Sequence, residues 1–131
     1  MSDNWHDWLG LPQRTGADPR GGEAACCLVM ARVLHEQAGS PFPSELVPYW
    51  LELVEAKAWA ILKDEFYGRT APANLPAPLT MALVRGQNSM GIAIVPENGI
   101  LLAPHHSRGV IAVPISPQVL KHYSFRELIK K

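Results

Sequence analysis

The hydrophobic pattern of the chain changes near its midpoint, and that change restricts the folds it can adopt. In the first half, apolar residues recur at the spacing of amphipathic helices, over residues 23–37 and 49–67. The second half contains short apolar runs separated by turn residues, at 81–85, 90–95, 99–103 and 109–114. The triplet at 97–99, Glu-Asn-Gly, is typical of a hairpin turn. Helices followed by a meander of strands predict an α+β fold, with N-terminal helices packed on a small antiparallel sheet.

The length of the chain is that of one domain. Its 131 residues are enough to bury a core without further stabilisation from disulfides or metals. We therefore predict a single domain over 1–131. Its helical half covers about 1–68, a Pro- and Ala-rich connector covers about 69–78, and the β half covers about 79–131.

Several smaller features complete the predicted organisation. Trp5 and Trp8 form a predicted helical turn, which we expect to pack on the domain's own core. Trp50 is a predicted core anchor, since large aromatic side chains dominate core packing. His35 falls on the predicted solvent side of the first long helix. The last residues, 125–131, form either a final strand or a frayed helix.

Charge and hydropathy exclude several classes of function. The chain has 12 Lys and Arg and 12 Asp and Glu, so its formal net charge is zero. This balance argues against nucleic-acid binding driven by bulk charge. No apolar run approaches the roughly 20 residues that span a bilayer. The polar N-terminus lacks the layout of a signal peptide, so we expect the protein to be made in the cytoplasm without one.

The two cysteines of the chain, Cys26 and Cys27, are adjacent. Neighbouring Cα atoms lie about 3.8 Å apart, closer than normal disulfide geometry allows, so we expect no structural disulfide within the chain. Two cysteines provide no metal framework. His105 and His106 have no further ligands at convincing spacing. We therefore expect neither a cofactor nor a metal ion.

An ordered set of residues resembles a known family. Residues 9–30 read LGLPQRTGADPRGGEAACCLVM. NlpC-type cell-wall cysteine peptidases, especially those encoded in phage tail operons, begin with a pattern close to LGxPYRxGGxDPxGGxDCxGLV. Further along, PLTMALVR at 78–85, SMGIAIV at 89–95 and PENGILLAPHH at 96–106 are similar to the family's segments PGDLVLF, HVGIYLG and IHA. The resemblance covers nearly the whole chain and implies a papain-like, NlpC-type fold.

The resemblance implies a nucleophilic cysteine at the start of the first helix. Counting forward from Pro19 and Gly22 places Ala25 at that position. Counting back from Arg32 places Cys26 there instead. Both alternatives stay open at the level of the sequence.

The other catalytic positions of the family are substituted. Ser89 stands where the resemblance implies the catalytic His, and a serine cannot shuttle protons near neutral pH as an imidazole does. The residue that would orient the imidazole falls on Leu102 or Ala103. His105 and His106 lie just beyond, and either is a candidate replacement base for a Cys26 nucleophile if the loop folds back.

These substitutions indicate a scaffold that has lost its usual chemistry. We expect a structural or assembly protein of a phage or phage-like tail tip, a pseudoenzyme located in the virion tail. Its expected partners are other tail proteins, such as hub or tail-tip subunits, and not nucleic acid or a membrane. One alternative is an active peptidoglycan hydrolase or amidase that uses Cys26 with a rebuilt His partner. The other is a module that binds the cell wall without cleaving it.

Overall fold

The order of helices and strands follows the change in hydrophobic pattern. The structure, a computed structural model, describes residues 3–43, 45–85 and 90–129. Two 3₁₀ turns come first, at Trp5–Trp8 and Pro19–Gly21. The helices are α1 (Cys27–Gln37), α2 (Leu46–Glu55), α3 (Trp59–Gly68) and α4 (Pro117–His122). The strands are β1 (Thr70–Pro72), β2 (Met81–Arg85), β3 (Met90–Glu97), β4 (Ile100–His105), β5 (Gly109–Pro114) and β6 (Arg126–Leu128).

The described strands form one antiparallel sheet in the order β1-β6-β2-β3-β4-β5. Because side chains alternate along a strand, the sheet has two apolar faces. One face, which includes Ile94 and Leu102, packs against α1, α2 and α3. A smaller cluster around Val95 and Phe125 covers the other face. The predicted α+β class, with helices and an antiparallel sheet, is confirmed.

The helix predicted over 49–67 is in fact two helices. A corner separates α2 from α3, and within it Lys57 has a φ of 54°. That value lies in the left-handed region, which a continuing α-helix does not use. The corner brings Phe66 of α3 onto Trp50 of α2, with their ring centroids 6.3 Å apart. Both rings are wholly buried, so Trp50 is the core anchor that was predicted.

The predicted connector at 69–78 contains a strand. Thr70–Pro72 pairs with Arg126–Leu128, and β6 in turn pairs with β2. The Arg126 guanidinium donates hydrogen bonds to the Thr70 hydroxyl at 2.7 Å and to the Thr70 carbonyl at 3.0 Å. Of the two alternatives for 125–131, the described part is therefore a strand. The Pro-rich composition did not reveal β1 because its pairing partner lies at the far end of the chain.

Helix α1 begins at Cys27 and not near residue 23, as the apolar spacing predicts. The preceding residues are extended instead. Ala25 forms a parallel bridge with Gln13, and its amide donates a hydrogen bond to the Pro12 carbonyl at 2.9 Å. These bonds compete with helix formation and fix the N-terminal loop beside the start of α1.

The N-terminal segment also binds the edge of β5. The Gly10 amide donates to the Val110 carbonyl at 2.8 Å, and the Val110 amide donates to the Leu11 carbonyl at 3.0 Å. Trp8, just before this contact, is wholly buried, and Trp5 packs against the same core. The prediction that these tryptophans pack on the domain's own core is confirmed.

The predicted solvent position of His35 is wrong. Its side chain is only 3% exposed. The His35 Nδ1 donates to the Ala31 carbonyl at 2.7 Å, and Phe42 packs edge-on against the ring. The helical pattern misplaced this residue because the segment that follows α1 turns back and covers it.

Burial lowers the pKa of His35 below its usual 6.5, because the charged imidazolium is poorly solvated there. The unfolded chain therefore takes up this proton at higher pH than the folded chain does. We expect the contribution of His35 to the free energy of unfolding to be constant above about pH 7 and to fall below about pH 6.5. One proton limits the slope to about 1.4 kcal/mol per pH unit.

Urea unfolding between about pH 5.5 and pH 8 measures this effect. The change in the free energy of unfolding per pH unit, which is the slope compared here, should be smaller in His35→Leu than in the wild type. His122→Gln is the matched control because His122 is exposed, and it should keep the wild-type slope. Equal slopes in the wild type and His35→Leu would contradict the assignment.

Candidate functional site

A cleft of about 780 Å³ opens where the start of α1 faces adjoining ends of β2, β3 and β4. Lys57, in the corner between α2 and α3, and Trp59, at the start of α3, also line it. Its polar and ionisable residues include Gln13, Arg14, Thr15, Cys26, Glu55, Lys57, Arg85, His105, His106 and Ser107. The volume is that of a typical ligand site. The cleft therefore contains both the candidate nucleophile and the two candidate bases.

Cys26 occupies the N-cap of α1 and lines the cleft. Its carbonyl accepts the first helical hydrogen bond, from the Met30 amide at 2.8 Å. Ala25, the other alternative for the nucleophile position, is wholly buried and does not line the cleft. Cys26 is thus the residue at the helix start, at the positive end of the helix dipole. Within the described part of the chain, its thiol makes no hydrogen bond.

The neighbouring thiol of Cys27 has a different environment. Only 7% of Cys27 is exposed, and its sulfur donates a hydrogen bond to the Gln13 Oε1 at 3.1 Å. Burial, with a smaller effect from Cys26, raises the pKa of Cys27 to about 12. The thiolate is the form that acts as nucleophile or metal ligand, and the raised pKa makes it rarer at Cys27 than at an ordinary cysteine. Cys27 is therefore a packing residue.

This difference predicts selective alkylation. Iodoacetamide at about pH 8 should modify Cys26 in the folded protein and leave Cys27 unmodified, because only the partly exposed thiol can react. Peptide mass spectrometry identifies the modified residue. The Cys26→Ser variant, as control, should take up no label until it is unfolded in urea. Label on Cys27 in the folded protein, at a rate similar to that of Cys26, would contradict the burial described above.

His105 and His106 reach the cleft from the end of β4. Their rings stack with centroids 4.4 Å apart. The His105 Nδ1 accepts hydrogen bonds from the amides of Arg108 at 3.1 Å and Ser107 at 3.2 Å. A neutral His105 therefore carries its proton on Nε2, and its lone pair is already engaged. His106 is the imidazole whose nitrogens have no such bonds among the described residues.

The remaining catalytic positions of the family correspond to Ser89 and to either Leu102 or Ala103. Ser89 lies outside the described residues. Leu102 is wholly buried in the cluster beneath the helices, and Ala103 is 5% exposed in the cluster on the other face of the sheet. Whichever of the two corresponds to the orienting residue, that position is apolar and interior.

The cationic part of the cleft wall has no counterpart among the catalytic residues that the family resemblance implies. Arg14, Lys57 and Arg85 all line it, against a single carboxylate, Glu55, among the described residues. The wholly buried Trp50 also contributes to the wall, and its indole N–H has no hydrogen-bond partner among those residues. No local motif signals these residues, because they come from four separate segments.

The described parts of the chain contain no group of three His, Cys, Asp or Glu side chains arranged to hold a metal ion. No helix in those parts is both long and apolar enough to cross a membrane. No protein-family model and no curated protein matches the chain.

Proposed function

We propose that the chain is a structural or assembly protein of a phage or phage-like tail tip, built on an NlpC-type scaffold that has lost catalysis. The papain-like fold, the tail proteins as partners and the location in the virion tail are parts of this proposal. One observation carries it. Cys26 occupies the N-cap of α1 and lines a cleft, yet no imidazole among the described residues is hydrogen-bonded to its thiol.

The relation between α1 and β3 supports the scaffold part of the proposal. The resemblance implies a cysteine at a helix start that faces a strand opening with the catalytic His. Here Cys26 caps α1, and α1 packs on β3. The contact is close at Gly91, where an added Cβ would lie 3.7 Å from the Cys27 sulfur. Ser89, the family's His position, immediately precedes β3 in the sequence.

The chemistry of the cleft supports the loss of catalysis. A cysteine peptidase needs an imidazole that takes the thiol proton and returns it to the leaving amine, and a polar group that orients the ring. In this chain the His105 lone pair already accepts backbone hydrogen bonds. Leu102 and Ala103 offer no polar atom to orient a ring. The described residues thus preserve the shape of a cleft without an assembled proton relay.

Two measurements test this proposal. Purified peptidoglycan should release no peptides when incubated with the chain, while an active NlpC-type peptidase in a parallel reaction should release them. Particles purified from the strain that encodes the chain should contain it at a fixed ratio to the tail-tube protein, as measured by quantitative mass spectrometry. A chain that is abundant in the lysate but missing from the particles would exclude a role as a virion component.

A second candidate function is an active cell-wall hydrolase, because Cys26 and His106 line the same cleft. In that case Cys26 would alkylate rapidly at about pH 6, and His106→Gln would abolish that rapid reaction. Cys26→Ala would also abolish peptide release without changing the unfolding midpoint. We expect instead that alkylation of Cys26 at pH 6 is slow and the same in the wild type and His106→Gln. Saturable binding to peptidoglycan without release of peptides would identify a non-cleaving binding module.

A further inference from the structure

A second depression lies beside the cleft and has a volume of about 370 Å³. It is bounded by α3, by the adjoining ends of β2 and β3, and by the end of α4 with the residues after it. Its basic and hydroxyl-bearing residues are Lys63, Tyr67, Arg85, His122, Tyr123 and Ser124. Leu83, Val84 and Met90 form the apolar part of its wall. The depression therefore combines hydrogen-bond donors with a small apolar surface.

The charge in this depression is unbalanced. No carboxylate lines it among the described residues. Neither Lys63 nor Arg85 forms an ion pair with any described residue. The chain as a whole has equal numbers of basic and acidic residues, so this local excess is not a property of its composition. Basic side chains from separate elements that line one depression without a carboxylate attract an anion.

One wall of the depression is held in place by a further cation. The Arg126 guanidinium lies over the Tyr67 ring, 4.3 Å from the ring centroid. The same guanidinium donates two hydrogen bonds to Thr70, so β1 fixes the position of the guanidinium. A cation–π contact of this kind holds the Tyr67 ring against the β1–β6 edge of the sheet. The Tyr67 ring is therefore already fixed beside the depression, so a ligand does not have to order it.

We propose that this depression binds a phosphate group. A phosphate monoester carries a charge between about −1.5 and −2 at pH 7 and has three terminal acceptor oxygens, which matches several cations together with hydroxyl donors. The Arg85 guanidinium is suited to bidentate contact with phosphate, and Lys63 supplies a point charge. The apolar wall suits a hydrophobic group attached to the phosphate. This inference does not depend on the proposed function, because it uses neither the thiol nor the histidines of the cleft.

The test is a titration of the full ¹⁵N-labelled chain, followed by NMR at constant ionic strength in a buffer without phosphate. The probes are inorganic phosphate and phenyl phosphate. We expect saturable shifts of the backbone amides around Lys63, Arg85 and Tyr123. Lys63→Gln and Arg85→Gln should each weaken binding about tenfold, the usual effect of losing one charge-assisted hydrogen bond. Tighter binding of phenyl phosphate would identify a phosphate ester as the ligand, and equal binding would identify free phosphate.

Lys121→Gln is the matched control. Lys121 carries the same positive charge as Lys63 and Arg85, but it lies on α4 and does not line the depression. This substitution should change the affinity less than twofold. An equal loss of affinity in Lys121→Gln would mean that the ions respond only to bulk charge, and it would overturn the site. Shifts reproduced by sodium chloride alone, or an absence of saturation with either probe, would overturn it as well. All three variants change exposed side chains, and circular dichroism checks that each is folded.

Discussion

Replacing Gly109 with alanine should lower the free energy of unfolding by about 3 kcal/mol or more. Gly109 has a φ of 71°, and an added Cβ would lie 2.3 Å from the Leu11 carbonyl oxygen and 2.8 Å from that of Gly10. Both are backbone atoms, which cannot rotate away as a side chain can. The substitution therefore has to break the hydrogen bonds between residues 10–11 and Val110 that hold the N-terminal segment on β5.

Gly99→Ala is the control for backbone strain alone. Gly99 has a φ of 82°, but nothing lies within 4 Å of an added Cβ. Its substitution should therefore cost only the left-handed conformation, about 1 to 2 kcal/mol. Urea unfolding of both variants measures the difference between them. If the two variants lose equal stability, the contact between β5 and the N-terminal segment contributes nothing, and our account of this edge is wrong.

The second large effect is expected at Leu102. Its side chain is wholly buried between the sheet and the helices, so Leu102→Ala removes apolar contacts and leaves a cavity. Such substitutions cost about 2 to 5 kcal/mol. Leu75→Ala makes the same chemical change at a side chain that is 75% exposed, and it should cost less than about 0.5 kcal/mol. Thermal or urea unfolding compares the two.

The outcome at Leu102 also bears on the loss of catalysis. This residue lies on the face of the sheet that packs against α1, the same helix that Cys26 caps. If the position is structural, Leu102→Asn should destabilise the chain by burying an unpaired amide, at an added cost of about 1 to 3 kcal/mol. A Leu102→Asn variant as stable as the wild type would show that the position still accepts a polar orienting group.

The hairpin between β3 and β4 can be predicted from residues that are close together in the sequence. The Glu-Asn-Gly triplet predicts a turn, and in the structure Gly99 takes the positive φ that such a turn needs. Two of the strands, β2 and β5, have the predicted limits. These features depend on residues close together in the sequence, so a short stretch of the sequence is enough to predict them.

The candidate site was only partly accessible from the sequence. The family resemblance suggested Cys26, His105 and His106, and the structure places all three on one cleft. The sequence could not reveal that backbone amides donate hydrogen bonds to the His105 ring or that burial raises the pKa of Cys27. The basic residues of the second depression also escaped notice, because Lys63 and Arg85 are far apart in the sequence. Hydrogen-bond partners and solvation depend on which segments meet.

The sequence by itself determined the α+β class, the strands of the second half and the turn at Gly99, because these follow from periodicity and local conformational preference. Only the tertiary structure decided the corner at Lys57 and the strand within the predicted connector. It also decided that Cys26, and not Ala25, stands at the start of α1. The strand and the helix start are selected by contacts between segments distant in sequence, and the corner by the packing of α3 on α2. Their free energy exceeds the weak local preferences that a sequence pattern records.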